Sequence, residues 1–357
     1  MGLKKVKTKY NTIILILFIS LIFSIVLFST MGTANIKIID TFKIIGSKLP
    51  FIGKKVDVSN ISDSYKTIIL NIRLPRVLLG VLVGASLASA GAAFQGMFKN
   101  PMADPYVIGI SSGAALGASI AIITGLRSTI LGLSPVSLFA FIGSLITVFT
   151  VYYISKVRSK VPVTTLLLSG IAIGQFLTAI MSFLMVVYTK DMEKIIFWTL
   201  GSFSGKGWEP LIRISLPTII SIIILNFFAR DLNVILTGEE SAESLGVDVE
   251  KIKIYILLLS SFMTSMVVSV SGIIGFVGLI IPHIVRLMVG PDHRVLLPSS
   301  ALIGGIFMIF TDTIARTIIS PTEVPVGIIT ALFGGPFFIY LLRKKKKEIW
   351  NRSENNG

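Results

Sequence analysis

Long apolar runs alternate with short polar or basic connections along most of this 357-residue chain. Crossing a hydrocarbon layer of ~30 Å takes roughly 20 apolar residues in a helix, and most of these runs reach that length. The pattern therefore predicts an all-α polytopic membrane protein with about ten transmembrane helices. The predicted spans are residues 12–31, 67–98, 106–126, 130–155, 163–188, 211–228, 253–270, 273–288, 296–319 and 325–342.

The eighth run is shorter than the others and rich in residues that interrupt helices. It contains Gly275, Gly278 and Pro282, and it follows Gly272. Irregular backbone is tolerated at membrane depth only where protein or a water-filled cavity surrounds it. We expect a short span here, or a broken or re-entrant helix.

The overall composition agrees with a membrane protein. Hydrophobic residues make up 53% of the chain, charged residues only 14%, and the mean hydropathy is +0.86. A water-soluble protein of this length could not cover that apolar content with polar surface. The chain has no cysteine, which excludes disulfides, thiolate zinc sites and cysteine-held iron–sulfur clusters.

The net charge of +15 would suggest a nucleic-acid partner in a soluble protein, but the basic residues lie mainly in tails and connections. Basic connections favour the cytoplasmic side, so the predicted partner is membrane lipid and not nucleic acid. An even number of spans, with basic tails at residues 1–11 and 343–357, places both termini in the cytoplasm. Residues 12–342 then form a single domain in the cell membrane. The basic connection at residues 32–66 runs against the rule, because this topology puts it outside.

Glycine recurs at four-residue spacing in several runs. Such rows make a groove on one helix face and let another backbone approach closely. We interpret them as helix-packing positions that need no contact with a substrate. They are Gly80 and Gly84, then Gly109, Gly113 and Gly117, and finally Gly170 and Gly174.

The sequence lacks a phosphate-binding loop and a zinc-protease motif. There is no G-x-x-x-x-G-K-[ST] phosphate loop, since residues 201–207, GSFSGKG, have the wrong spacing and no hydroxyl residue for magnesium. H-E-x-x-H is absent, and the two histidines, His283 and His293, have no further evident metal ligands nearby. We predict a non-catalytic chain that itself binds no cofactor and no metal.

The most polar internal segment is residues 230–253, RDLNVILTGEESAESLGVDVEKIK, on the predicted cytoplasmic side. It is acidic, which the positive-inside tendency does not select in a plain cytoplasmic loop. The pattern predicts two short helices, with Thr237 and Glu240 in a capping box, Gly246 in the left-handed region and Asp248 capping the next helix. We call residues 237–250 the elbow. These residues alone are compatible with a rigid docking element and with a solvated connector.

Three arginines lie near the predicted outer ends of spans: Arg73, Arg76 and Arg316. Positive charge on that side runs against the usual tendency, so we expect a specific partner, the alternative being snorkelling to lipid headgroups. Asp312 precedes Arg316 by one helical turn, and a buried pair between them would explain this carboxylate without a functional role.

Four segments resemble the permease subunit of the FecCD-type ABC importers for iron chelates, haem and cobalamin. They are NIRLPRVLLGVLVGASLASAGAAFQGMFKNPMADPYVIGISSGAALG at residues 71–117, the pattern G-E-x-[SA]-A-x-x-L-G at residues 238–246, SGIIGFVGLIIPHIVRLMVGPDHRVLLPSSALIGG at residues 271–305, and PTEVPVGIITALFGGPFFIYLL at residues 321–342. The resemblance implies a type II ABC importer permease architecture. It also implies a homodimer or a close heterodimer with the translocation path between its subunits.

The resemblance implies two further partners. Two ABC ATPase subunits, which carry ATP and magnesium, would dock on the elbow. An extracytoplasmic substrate-binding protein would place acidic residues against Arg73, Arg76 and Arg316. The elbow residues implied in ATPase coupling are Thr237, Gly238, Glu239, Ser241, Ala242, Leu245 and Gly246.

The predicted cargo is a ferric siderophore, with haem or cobalamin as alternatives. The chain supplies no iron ligands and would therefore carry a metal that is already chelated. A rival of another class is an ion-coupled secondary transporter whose coupling site is Asp312, Glu323 and His283. A membrane scaffold or sensor without transport is a third alternative. The acidic elbow and the missing phosphate loop favour the split, ATP-driven importer.

Overall fold

The computed structural model describes residues 2–48, 50, 53–126, 128–129, 133–158 and 160–354 and, within these, the side chains of residues 8–343. The regular elements in these residues are helices, apart from isolated bridge residues, among which Val157 pairs with Lys160. The α-helices are α1 (Gly2–Thr30), α2 (Ile38–Gly46), α3 (Asp63–Thr67), α4 (Leu74–Met97), α5 (Ile110–Thr124), α6 (Pro135–Ser155), α7 (Val163–Val187), α8 (Met192–Thr199), α9 (Trp208–Phe227), α10 (Ala229–Ile235), α11 (Glu239–Ser244), α12 (Val249–Ser271), α13 (Val277–Val289), α14 (His293–Thr317) and α15 (Val326–Glu354). Short 3-10 helices occupy Gly53–Lys55, Pro105–Ile108 and Thr189–Asp191, and a π-helical segment, Ile68–Arg73, joins α3 to α4.

Eight helices in the described part of the chain are long and apolar enough to cross a membrane. They are Thr8–Thr30, Asp63–Met97, Pro135–Ser155, Val163–Val187, Trp208–Phe227, Val249–Ser271, His293–Thr317 and Val326–Arg343. Two shorter apolar helices, α5 and α13, have 15 and 13 residues. These ten helices correspond to the ten predicted spans, and the all-α polytopic class is confirmed.

Some predicted boundaries differ from the observed ones. The predicted start of the fourth span, Ile130, lies outside the described residues, and α6 begins at Pro135. It begins there because the Ser134 hydroxyl accepts a hydrogen bond from the Ser137 N–H at 3.2 Å, and proline suits the first helical position. Helix α1 begins at Gly2 and α15 runs to Glu354, so helix continues into both basic tails. The tail boundaries at residues 11 and 343 stay predictions.

Helix α4 forms the centre of the bundle, since 83% of the residues in the apolar 18-residue window of the helical segment Asp63–Met97 are buried. It packs against α14, α12, α13 and α9, whereas α1, α6, α7, α9 and α15 leave most of their surface open. Its small residues explain this central position. A methyl group on Gly84 would lie under 3.0 Å from the backbone of Gly304, and one on Gly91 under 3.0 Å from that of Gly278, so only glycine permits these close approaches.

The remaining predicted packing glycines also lie at contacts between helices. A methyl group on Gly113 or Gly117 would lie under 3.0 Å from the backbone of α6, and one on Gly170 under 3.0 Å from the backbone of Val107. At three further positions the nearest atom would be 3.0 to 3.4 Å away. These three are Gly80 against α14, Gly109 against α6 and Gly174 against α5. The energetic importance of each glycine stays a prediction.

The eighth crossing is broken, as one of the sequence alternatives predicted. Residues 272–276 are not helical, and α13 begins at Val277. Pro282 has no N–H to offer the carbonyl of Gly278 four residues before it, and Gln95 of α4 lies there instead. The Gln95 side-chain amide donates to the carbonyl oxygens of Gly278 at 3.4 Å and Leu279 at 3.0 Å. This hydrogen bonding explains why α4 carries a polar side chain in its buried centre.

One end of the bundle contains the elbow, and we call it the elbow end. Here the Glu250 carboxylate of α12 accepts from the N–H of Val161, which precedes α7. Asn233 of α10 binds the backbone N–H of His293 at the start of α14. Tyr10 of α1 lies close to the residue before His293, so the beginning of α1 is at this end as well.

The other end, which we call the opposite end, contains the connection from residue 32 to residue 66. The indole N–H of Trp208 donates to the carbonyl of Leu70 at 2.9 Å. Arg73 donates to the carbonyl of Thr30 at 2.5 Å, which ties the end of α1 to the beginning of α4. Helix α15 begins at this end and its candidate span has 18 residues, enough to return the chain to the elbow end.

Candidate functional site

The elbow is a compact unit held by its own small core. Helices α10 and α11 precede α12, and the side chains of Ile235, Ala242 and Val249 are almost fully buried against one another. Gly246 has φ +83°, and the Asp248 carboxylate accepts from the N–H of Lys251 at 3.1 Å. Both predicted local features, the left-handed glycine and the aspartate cap, are confirmed. Hydrogen bonds from the side-chain ammonium of Lys251, and then from its backbone N–H, lower the pKa of Asp248.

The predicted capping box of Thr237 and Glu240 is wrong. Helix α11 starts at Glu239, and its N-cap residue is Gly238 with φ +129° and no side-chain cap. The Thr237 hydroxyl instead donates to the carbonyl of Val234 at 2.8 Å and so closes the turn after α10. The physical reason is that a hydroxyl can bind a carbonyl three residues back as readily as an N–H ahead.

The outer surface of the elbow combines acidic and apolar groups. Glu240, Glu243 and Ser241 are exposed, and 71% of Leu245 is accessible. Ala242 faces inward, so of the predicted coupling residues it contributes packing and not surface. An exposed leucine beside carboxylates, on a unit with its own core, forms a surface to which a protein partner can bind.

A buried lysine joins α11 to α12 and, through Glu250, to the segment before α7, a connection that the sequence interpretation missed. Lys253 of α12 is 7% exposed, and its ammonium binds Glu239 of α11 at 2.9 Å and Glu250 at 3.1 Å. The second carboxylate oxygen of Glu250 accepts from the backbone N–H of Val161 at 3.0 Å. The spacing of Glu250 and Lys253 is a visible sequence signal, but the links to Glu239 and Val161 depend on the fold.

A second polar cluster fixes α10 against the start of α14. The Asn233 side chain donates to Asp292 at 2.7 Å and accepts from the backbone N–H of His293 at 2.8 Å. Hydrogen bonds from Arg294 and Asn233 hold the pKa of Asp292 well below its usual range, despite partial burial. His293 is fully buried with its Nδ1 against Asn233 at 2.9 Å. Within the described residues, no group of three or more His, Cys, Asp or Glu side chains could hold a metal ion.

At the opposite end, Arg76 is the centre of an ion-paired cluster. Its guanidinium binds Asp312 at 2.8 Å and Glu323 at 2.8 Å, and the arginine is 8% exposed. Burial favours the neutral form of Glu323, but hydrogen bonds and charge from Arg76 outweigh it and lower the pKa of that carboxyl. Asp312 is therefore in a buried pair as expected, but its partner is Arg76 and not Arg316. The guanidinium of Arg316 turns to the carbonyl of Phe28 instead.

The other two arginines predicted to dock a binding protein are also buried. Arg73 is 5% exposed and Arg316 6% exposed, and their guanidinium groups bind backbone carbonyls of the segment from Phe28 to Ala34. A cavity of about 180 Å³ borders Arg73, Arg76, Arg316 and Glu323. The fold thus brings the three arginines together around one cavity. Their role in docking a binding protein stays a prediction.

The coupling site of the rival secondary transporter is only partly assembled. Asp312 and Glu323 both bind Arg76, so their charges are already balanced by a fixed cation. His283 lies on α13, which runs toward the start of α14 at the elbow end, whereas Asp312 and Glu323 bind Arg76 at the opposite end.

Comparison with known proteins decides the family. The sequence model of the FecCD transport family matches residues 15–344. The chain belongs to the FecCD transport family. A cobalamin import system permease protein of Halobacterium salinarum is 49% identical over 80% of this chain and 76% of its own length. A hemin transport system permease protein of Yersinia pestis is 40% identical over 80% of this chain and 86% of its own length. An Fe(3+)-citrate import system permease protein of Bacillus subtilis is 38% identical over 92% of this chain and 94% of its own length.

A solved structure supports the same assignment for this FecCD chain. It is described as an inward-facing conformation of a metal-chelate type ABC transporter, and it superposes with a TM-score of 0.80 at 30% identity. The match covers 94% of this chain and 99% of that one. The FecCD chain is thus a multi-pass ABC importer permease of the cell membrane, of the class named for metal chelates, haem, cobalamin and ferric citrate. Permeases of this family are transport components that work with ATPase and binding-protein partners.

Proposed function

We propose that this chain is the membrane-spanning subunit of an ATP-driven importer that takes up a ferric siderophore delivered by an extracytoplasmic binding protein. The observation that carries the proposal is the family match over residues 15–344, joined to an elbow that exposes an acidic and leucine-bearing surface. Cobalamin is the second candidate cargo, because a relative with 49% identity is named for it. A pre-assembled chelate needs no metal ligands from the permease, and selectivity then lies chiefly with the binding protein.

In this proposal the elbow end faces the cytoplasm. Its support is the positive-inside tendency, since Lys156, Arg158 and Lys160 lie just before Val161 at the elbow end, and α1 begins there with a basic segment. The basic connection at residues 32–66 lies outside in this orientation. It contains helices of its own, α2 and α3, and is an exception to the positive-inside tendency in this orientation.

Two ABC ATPase subunits, with their ATP and magnesium, dock on the elbows of two permease copies. The contact uses Thr237, Gly238, Glu239, Ser241, Leu245 and Gly246, with Ala242 holding the shape of the elbow from inside. The second permease copy, identical or closely related, meets this one through helices that leave much of their apolar surface uncovered, among which are α7 and α15. The translocation path lies between the copies.

The binding protein docks at the opposite end, where Arg73, Arg76 and Arg316 border one cavity. Their burial means that an acidic side chain of the binding protein enters this cavity or displaces Glu323, which is the accessible partner of Arg76 with 34% of its side chain exposed. Arginine suits this role because its planar guanidinium binds carboxylates in two places at once.

The test is reconstitution of this chain with its ATPase and binding protein in proteoliposomes. ATPase stimulation is measured with ferrichrome, ferric citrate, hemin and cyanocobalamin. Glu240→Lys with Glu243→Lys reverses charge on the exposed elbow without touching Lys253, and it should abolish stimulation by weakening ATPase binding. The control, Glu193→Lys with Glu209→Lys, makes the same charge change on exposed residues of α8 and α9 and should retain stimulation.

Stimulation by a ferric siderophore, lost only in the elbow variant, supports the proposal. Stimulation by cyanocobalamin alone moves the cargo to the second candidate. Gradient-driven uptake by the chain without any ATPase would overturn the proposal in favour of the secondary transporter.

A further inference from the structure

The hydrogen-bonded path through Lys253 connects three separate segments of the chain. It runs from Glu239 in α11 through Lys253 and Glu250 in α12 to the backbone of Val161, and each link is 2.9 to 3.1 Å long. Lys253 and Val161 are buried, so water does not compete freely for these bonds. Movement of Glu239 alone would leave the buried ammonium with Glu250 as its single carboxylate, so displacement of Glu239 pulls on Lys253 or breaks the path.

The far end of this path lies at the start of α7. Pro162 is the N-cap of α7 and Val163 its first residue, so the N–H bound by Glu250 is only two residues before the helix. Only 11% of the candidate span of α7 is buried, the lowest fraction among the candidate spans in the described part of the chain. At this end the Thr165 hydroxyl of α7 donates to the carbonyl of Ser155 in α6 at 3.1 Å, and the bond from Glu250 connects the start of α7 to α12.

We propose that Lys253 is a positioning residue that transmits displacement of α11, the first helix of the elbow, through Glu250 to the elbow end of α7. The inference rests on the proposed function, because the displacement comes from ATPase subunits bound to the elbow. The Glu239–Lys253–Glu250–Val161 path makes the elbow and the start of α7 move as one unit. Beside Lys253 the side chains of Met97, Phe98 and Leu257 line a small apolar pocket, which offers the ammonium no alternative polar partner.

The chain offers a matched control two residues away. Lys251 is on the same helix and also pairs with an acidic residue, Asp248 at 2.8 Å, but both of these side chains are more than half exposed. Lys253→Met cuts the path at nearly constant size, and Lys251→Met removes an exposed pair that contributes little.

The test measures movement and does not depend on knowing the cargo. The chain has no cysteine, so spin labels can be attached to introduced cysteines at exposed positions. One double variant is Asn11→Cys with Ser244→Cys, and the other is Asn11→Cys with Thr164→Cys. The permease is reconstituted with its ATPase in nanodiscs, with one labelled and one unlabelled copy. Distances are compared without nucleotide and after trapping with ATP and vanadate. The first pair follows the elbow and the second follows α7, both relative to α1.

In the otherwise unchanged chain and in Lys251→Met, both distances should shift by about 2 Å or more on trapping. In Lys253→Met the elbow distance should still shift while the α7 distance does not, with ATPase binding and basal ATP hydrolysis retained. Glu250→Gln gives a second variant, which keeps an acceptor for the Val161 N–H but weakens the bond to Lys253, and its α7 shift should be reduced. This variant decides the question if Lys253→Met does not fold.

A full α7 shift in both variants would overturn the inference and leave the proposed function intact. Loss of ATPase binding in Lys253→Met would also overturn it, because the lysine would then serve only to build the elbow. An elbow that does not move in the unchanged chain, despite bound ATPase, would contradict the proposed function itself.

Discussion

The buried cluster around Arg76 allows a quantitative test of what holds the opposite end together. Arg76 binds Asp312 through Nε and Nη2 at 3.0 and 2.8 Å, and the two side chains are 10% and 2% exposed. Asp312→Leu leaves the guanidinium with Glu323 alone. The double variant Arg76→Met with Asp312→Leu removes both buried charges together.

The two variants should differ strongly in stability. Removing one partner of a buried ion pair costs about 3–5 kcal/mol, whereas replacing both by apolar residues of similar size is often neutral. Because Glu323 still binds Arg76 in the single variant, we expect Asp312→Leu to cost about 3 kcal/mol, at the lower end of that range. In the double variant Glu323 loses its partner but is one-third exposed and can be hydrated, so we expect a cost of about 1 kcal/mol or less.

The assay is equilibrium unfolding of the purified protein by SDS in mixed micelles. Asp63→Leu is the control, because Asp63 pairs with Lys66 while 95% of its side chain is exposed, and its loss should cost under about 1 kcal/mol. A double variant that is as unstable as Asp312→Leu would refute the reasoning, since the cost would then come from lost packing and not from an uncompensated charge.

Three further predictions use the same stability assay. Gly84→Ala should destabilise the protein by about 1–3 kcal/mol or more, because its methyl group would overlap the Gly304 backbone. The control Gly335→Ala, with open space around it, should be neutral or stabilise by up to about 1 kcal/mol. Equal effects of the two substitutions would contradict the close-packing argument. Gln95→Leu should cost about 1–3 kcal/mol by leaving buried carbonyls without a donor, and a neutral result would mean that water replaces the amide. The pKa of Glu323 is lowered in the folded state, so its ionised form stabilises the fold above the ordinary glutamate pKa of about 4.3, and this stabilisation is lost as the pH falls through the folded-state pKa. The difference in free energy of unfolding between the unchanged protein and Glu323→Gln should therefore be constant between about pH 8 and pH 6 and shrink below about pH 4. A constant difference down to about pH 3 would contradict this assignment.

Features that depend on a short stretch of chain were predictable from the sequence. The spans follow from the length of each apolar run, because a membrane crossing needs a fixed number of apolar residues. The break before α13 follows from its glycines and Pro282, and the turn at Gly246 and the cap at Asp248 follow from local backbone preferences. The capping box at Thr237 is the local exception, because a threonine hydroxyl has two competing backbone partners within one turn.

Features that depend on contacts between distant segments were decided by the tertiary structure. Asp312 binds Arg76, 236 residues away, and not Arg316 on its own helix, and Glu250 binds Val161, 89 residues away. The sequence by itself determined which segments cross the membrane and which one leaves it as an acidic elbow. Only the packing of helices around α4 decided which charges meet, because a buried ion takes the partner that the fold brings within about 3 Å, whatever its distance along the chain.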